Sequence, residues 1–253
     1  IPFTIGRSEE TVRVREGRSW GGSRVVVPGR QVLDALHLVR ATTQRFDDYR
    51  LDTVARQILG RGKTLEAADD EDMAARIERA YRDDRTAFAD YCLEDSRLVR
   101  DLLEKEEIIP LTLQRSMLTG LPLDRAWGSI PAFEFLYISE LHRRHMVAPT
   151  LGVDRNRSGA PGGLVMSPEP GLYHQVFVFD FKSLYPSIIR TFNIDPLSYV
   201  RGGGGDPIRA PNGAIFDREP AILPQLLTVF FEHRAQARAQ GNQLASQTYK
   251  ILM

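Results

Sequence analysis

The spacing of apolar residues changes several times along this chain, and each change predicts an element. Between Glu10 and Val27 two valine-rich runs, TVRVRE and SRVVVP, flank Trp20, Gly21 and Gly22, which predicts a β-hairpin. From Gln31 to Thr43 the apolar positions Val32, Leu33, Leu36 and Val39 recur at helical spacing. LDTVARQILG closes on Gly60, as a short capped helix does. A long helical stretch is expected from Asp84 to Glu107, ended by Pro110, and another near Ile130 to His145. Residues Asp154 to Tyr173 are rich in Gly, Pro and Ser and mark a boundary between domains or subdomains. After them, Gln175 to Phe179 reads as a buried strand leading into a helix near Ser183. Gly202 to Gly205 reads as a flexible loop, because no Lys-Ser/Thr follows to make it a phosphate loop. Two last helices, Pro224 to Gln240 and Gln243 to Met253, should form an antiparallel pair around Gly241.

Composition narrows the classes. At 253 residues the chain is long enough for one large domain or two ordinary ones with a real core. Lys plus Arg equals Asp plus Glu at 33 each, so any contact with nucleic acid must come from local basic clusters. One cysteine, Cys92, excludes a disulfide framework and fits a reducing, cytoplasmic setting. No run approaches the roughly 18 apolar residues of a membrane span. The start at Ile1 and the uncapped helix in QLASQTYKILM predict a piece of a longer protein. The acidic segment EAADDED, Glu66 to Asp72, is expected to be a solvated loop or helix start.

Candidate chemistry begins with an acid on an apolar stripe. In the helix from Asp84, the residues Phe88, Cys92, Val99, Leu102 and Leu103 should face inward, with Tyr91, Asp95 and Leu98 on the same side. A carboxylate there needs a cation, a basic partner or a strong donor. Tyr91, one turn earlier, is placed to orient a water at a metal site that Asp95 would serve. The plainer alternative is that Asp95 pairs with an arginine such as Arg97 or Arg100 and only holds the helix down.

A second acid, Asp180, stands at the carboxyl end of the expected strand, where sheets of this kind place ligands. Pro186 fits only in the first turn of a helix, so the helix begins near Ser183 and leaves the amides of Ser183, Leu184 and Tyr185 without intrahelical partners. Such amides form an anion site. A carboxylate beside a phosphate site needs a divalent cation between them, which predicts Mg²⁺ bridging Asp180 and a triphosphate. The Tyr185 ring would lie beside the sugar and exclude a 2′-hydroxyl. Arg234 and Lys250 fall at similar heights on the last two helices, about 10 and 13 Å from the bend, and could grip one anion, with Arg238 extending that face.

DFKSLYPSI, Asp180 to Ile188, resembles the first catalytic motif of the family B DNA polymerases, most nearly their bacterial members. YKILM, Tyr249 to Met253, resembles the start of that family's fingers motif, and YCLED, Tyr91 to Asp95, its third exonuclease motif. The resemblance covers essentially the whole chain. It implies an α/β fragment: residues 1–127 would be the carboxyl-terminal part of an RNase H-like 3′-5′ exonuclease domain. Residues 128–149 would be a return segment of the amino-terminal domain, 150–220 the start of the palm and 221–253 truncated fingers. It further implies that Asp180 and the Phe181 carbonyl hold metal, and that Ser183, Leu184, Tyr185, Arg234 and Lys250 bind the incoming nucleotide. Asp95 would be an exonuclease metal ligand with Tyr91 near the attacking water, and Gly162 and Gly163 would touch DNA weakly, since Ala160 stands where relatives carry Tyr.

The implied cofactor is Mg²⁺ in two-metal sites that this stretch supplies only in part. The implied partners are primer-template DNA and deoxynucleoside triphosphates, with a sliding clamp met through the parent's carboxyl end and no membrane. The implied location is the bacterial cytoplasm, at the nucleoid. The second polymerase carboxylate and the other exonuclease acids are absent, and the one D-x-E match, Asp69 to Glu71, lies in the acidic segment. The piece alone is therefore expected to be inactive. Two rival readings are a stand-alone 3′-5′ exonuclease and a non-catalytic DNA-binding module, the latter marked by salt-dependent DNA affinity without any nucleotide effect.

Overall fold

Valine-bearing runs pair at the start of the chain: β1 (Arg13–Arg15) lies antiparallel to β2 (Arg24–Val26) with Val14 opposite Val25. This is the expected hairpin. The computed structural model describes residues 4–5, 7–15, 24–64, 72–150, 163–202 and 204–253. The helices α1 (Ala35–Ala41), α2 (Leu51–Leu59), α3 (Met73–Asp83), α4 (Arg85–Lys105) and α5 (Ile108–Thr119) follow. A 3₁₀ turn, Leu123–Arg125, leads to α6 (Ser129–Arg143). Then come α7 (Leu184–Thr191), α8 (Pro196–Arg201), a hairpin of β3 (Ile208–Arg209) and β4 (Ile215–Phe216), and α9 (Ile222–Ala239) and α10 (Gln243–Leu252). The described residues thus form a helix-rich fold with two small antiparallel sheets. None of their helices is long and apolar enough to cross a membrane.

Local chemistry explains most boundaries. Asp34, Asp72, Asp84 and Asp195 each accept a backbone N–H at the start of α1, α3, α4 and α8. Gly60, in the left-handed region at φ 74°, ends α2 as the sequence suggests. Gly241 does the same after α9, where the Asn242 N–H reaches the Ala237 carbonyl at 2.8 Å and the Gly241 N–H that of Arg238 at 3.1 Å. Pro110 does not end α4. It occupies the first turn of α5, where its missing N–H leaves no bond unmade, and the break falls at Glu107, whose φ is 49°. Likewise α9 starts two residues before Pro224. Gly202 is no loose loop residue: it caps α8, and a Cβ there would come within 2.5 Å of the Ile215 carbonyl oxygen.

The chain divides into two compact units, residues 1–133 with 243–248 and residues 134–242 with 249–253. In the first, α2 packs against α4 and α4 against α5, burying Val54, Ala55, Leu98, Leu102, Ile108 and Leu111. Arg115, only 1% exposed, donates from Nε to the Ala126 carbonyl at 3.0 Å and lies 4.7 Å from the Trp127 ring. Burial pulls that guanidinium below its usual pKa. Leu98 is fully buried, so Leu98→Ala is expected to cost about 2–5 kcal/mol in urea unfolding; a loss under about 1 kcal/mol would contradict this packing. In the second unit Tyr137, Leu141 and Ile222 form a cluster joined by Met146, Leu197, Leu223 and Leu226.

The expected strand over Gln175 to Phe179 is not formed. The segment is exposed, with Phe179 at 90%; Gln175 takes a left-handed φ of 56°, and the Phe177 and Phe179 rings stack at 6.4 Å. A strand has no internal hydrogen bonds, and no described strand lies beside this one to supply them.

Candidate nucleotide and metal sites

Asp180 is exposed and enters no ion pair or hydrogen bond with the described residues. Three residues later Ser183 takes the left-handed conformation, φ 54° and ψ 55°, and opens α7 without a side-chain cap. The first bond of that helix runs from the Ser187 N–H to the Ser183 carbonyl at 2.9 Å. Upstream of it the Leu184 and Tyr185 amides have no intrahelical acceptor, and Pro186 has no N–H to satisfy. The helix start expected near Ser183 is therefore where the structure has it. Tyr185 stands 78% exposed and Phe181 75%. An unpaired carboxylate followed at once by free amides and a projecting phenol can take a cation and an anion together.

At the end of α10, Tyr249 meets α9. The Tyr249 ring lies 5.9 Å from that of Phe230 and 5.5 Å from that of His233. Arg234 and Lys250 follow those ring partners directly in sequence. The Arg234 Nε is buried and has no hydrogen-bond partner among the described residues. Its pKa is lowered by burial first and by Arg238 second, so an anion is the ligand that would relieve it. Lys250 is exposed.

Tyr91 and Asp95 come together on α4 with a residue that the sequence reading did not single out. Lys63 Nζ donates to Asp95 Oδ2 at 2.8 Å and to the Tyr91 hydroxyl at 3.1 Å. So Asp95 is paired, but with Lys63 rather than with Arg97 or Arg100; Arg100 pairs with Asp101. Asp52 holds this loop by accepting the Lys63 N–H at 2.7 Å while its other oxygen accepts from Arg56 at 2.8 Å. Burial alone would lower the Lys63 pKa, yet the bonds to Asp95 and then Tyr91 raise it, so the ammonium stays charged. The opposite oxygen, Asp95 Oδ1, is buried and has no hydrogen-bond partner among the described residues. No signal local to GKTLE links Lys63 to an acid 32 residues away. Cys92, expected on the buried face, is exposed, because α4 buries the narrower line of Tyr91, Leu98 and Leu102.

Among the described residues no cluster of three or more His, Cys, Asp or Glu able to hold a metal occurs. Gly162 and the Asp69 to Glu71 match lie outside the described residues. A Cβ on Gly163 would meet nothing within 4 Å, so no close approach requires glycine there.

The sequence model described as DNA polymerase family B matches residues 129–253. Over 258 aligned residues the chain is 40% identical to DNA polymerase II of Escherichia coli strain K12, covering all of this chain and 33% of that protein. It is 30% identical over 246 residues to a DNA polymerase of Thermococcus sp. strain 9oN-7, covering 94% of this chain and 31% of that protein. With the DNA polymerase of Archaeoglobus fulgidus it shares 27% identity over 259 residues, 100% of this chain and 31% of that protein. The chain spans about a third of the length of these curated relatives. The exposed acid ahead of the uncapped start of α7 and 40% identity along the whole sequence lead to one conclusion: the chain belongs to the family B DNA polymerases.

Proposed function

We propose that this chain is the stretch of a DNA-directed DNA polymerase that seats the incoming deoxynucleoside triphosphate, together with the rear of its proofreading 3′-5′ exonuclease. The observation that carries the reading is the exposed Asp180, unpaired among the described residues, just ahead of the uncapped start of α7. In this reading residues 150–220 begin the palm, 221–253 belong to the fingers, 128–149 return through the amino-terminal domain, and 1–127 close an RNase H-like exonuclease domain.

The amides of Ser183, Leu184 and Tyr185 hold the triphosphate oxygens, because a helix start presents unpaired N–H groups and a favourable dipole. Asp180, assisted by the Phe181 carbonyl, would hold Mg²⁺, which when bound supplies the charge neutralisation that phosphoryl transfer requires. Arg234 and Lys250 meet the phosphates and offset the charge that builds on the departing pyrophosphate as the primer 3′-hydroxyl attacks the α-phosphorus. Tyr185 lies against the sugar and rejects a 2′-hydroxyl.

The free Asp95 Oδ1 supports the second activity. There Asp95 is the carboxylate kept for metal, Tyr91 orients the water, and Lys63 fixes both side chains from the opposite side. Primer-template DNA is the shared substrate of the two sites.

Tyr185→Ala in the full-length polymerase carrying this chain tests the seat. Ribonucleotide incorporation relative to deoxyribonucleotide should rise by roughly ten- to a hundredfold. Unchanged rejection of ribonucleotides would remove Tyr185 from the sugar.

A further inference from the structure

Two buried side chains in the stretch Asn193 to Asp195 tie α7, α8 and α9 together, and neither belongs to the candidate sites above. Asp195 is 2% exposed and meets no cationic side chain within ion-pair range among the described residues. Its Oδ1 accepts from the Tyr137 hydroxyl at 2.7 Å and from the Leu197 and Ser198 amides at 2.7 and 3.1 Å. Its Oδ2 accepts from the Leu223 amide at 2.8 Å. One carboxylate therefore caps α8 and the first turn of α9 while gripping α6. Ala221 precedes α9 and has no side chain to cap it, so the cap comes from elsewhere in the chain.

Asn193 completes the joint. It follows α7 in the left-handed region at φ 52°, where the Ile194 N–H closes that helix on the Ile189 carbonyl at 2.9 Å. Its Nδ2 donates to the Asp217 and Glu219 carbonyls at 2.7 and 2.8 Å, and its Oδ1 accepts from the Ala221 amide at 3.3 Å. Farther along, α7 packs on α9 with the Arg190 guanidinium 5.2 Å from the Phe231 ring.

The lever is long. Arg234 lies twelve residues beyond Ile222, about 18 Å along α9, so a tilt of about 5° at the joint moves it by about 1.5 Å. A displacement of about 1 Å can cost about a hundredfold in rate when a group must meet a reacting ligand. We propose that Asp195, backed by Asn193, is a positioning residue for nucleotide binding: it fixes the base of α9 to the end of α7, so that Arg234 and Tyr185 address one triphosphate. The proposal rests on the reading that Arg234 binds the nucleotide.

The test is a double-mutant cycle in the full-length enzyme, with Asp195→Asn, Arg234→Ala and both together. Asn keeps the size but turns an N–H toward a backbone N–H, so the joint loosens without a cavity. Asp195→Asn should raise the deoxynucleotide KM about tenfold, leaving the KM for primer-template DNA and the exonuclease rate within twofold. In the Arg234→Ala background the same change should do less than twofold, because its target is gone. A residue that serves only folding would lower all activities in proportion to folded protein, and its effect would persist in that background; either result overturns the proposal. Should Asp195→Asn fail to fold, Tyr137→Phe removes the hydroxyl that donates to Asp195 and accepts from the Leu197 amide, leaves the carboxylate in place, and enters the same cycle with a smaller expected shift, about threefold. An Arg234→Ala enzyme with unchanged nucleotide KM would overturn the underlying reading itself, and the proposal with it.

Discussion

Asp180→Asn in the full-length polymerase is expected to reduce primer extension by about a thousandfold or more, with the unfolding midpoint unchanged. The size follows from the charge removed: a carboxylate holding catalytic metal contributes several kcal/mol to the transition state, and about 4 kcal/mol corresponds to a thousandfold. The unchanged stability follows from the surroundings. Asp180 is exposed, caps no helix and has no partner among the described residues, so folding does not use it. Single-nucleotide extension kinetics alongside thermal unfolding check both halves. Extension within tenfold of wild type would remove Asp180 from the catalytic metal site, and a large loss of stability would make it a structural residue.

The second large effect is expected at Asp95. Asp95→Asn should abolish 3′-5′ degradation of single-stranded DNA, by about a hundredfold or more, while primer extension stays within twofold. Oδ1 is the free oxygen and Oδ2 the one held by Lys63, so the substitution removes the charge and leaves the scaffold nearly intact. Both partners of that pair keep about a quarter of their side-chain surface in water, at 24% and 26%, which limits the stability cost to about 1 kcal/mol. Digestion of a labelled single strand in Mg²⁺, with extension measured on the same preparation, reads both activities. Full nuclease activity in the variant would move that chemistry away from α4.

Helix ends were legible in the sequence wherever one residue type answers one unpaired backbone group. Gly60 and Gly241 show this, as does Pro186, which placed the start of α7 to within a residue of Ser183. The segment Gln175 to Phe179 shows the opposite case. Its β-branched and aromatic residues suit a strand, but a strand exists only against a neighbour, and periodicity does not supply one. The inward face of α4 was predicted too wide, because Cys92 sits beside the true line of Tyr91, Leu98 and Leu102. Of the acid site, Tyr91 and Asp95 were readable from helical spacing, whereas Lys63 arrives from a loop held by Asp52. The Asp195 joint did leave a local trace: an Asp directly before a Pro that opens a helix is a capping signature. Its reach to α6 and α9 was not readable, because those bonds span 58 and 28 residues.

Nucleotide affinity measured with and without Mg²⁺, on wild-type and Asp180→Asn full-length enzyme bound to primer-template DNA, tests the central claim most directly. The wild type should bind the correct deoxynucleoside triphosphate at least tenfold more tightly in Mg²⁺ than in a chelator, and Asp180→Asn should lose most of that gain while keeping its weak metal-free affinity through the α7 amides. An Asp180→Asn enzyme that keeps the full Mg²⁺ gain would show that the acid and the amides behind it do not form one magnesium-nucleotide seat.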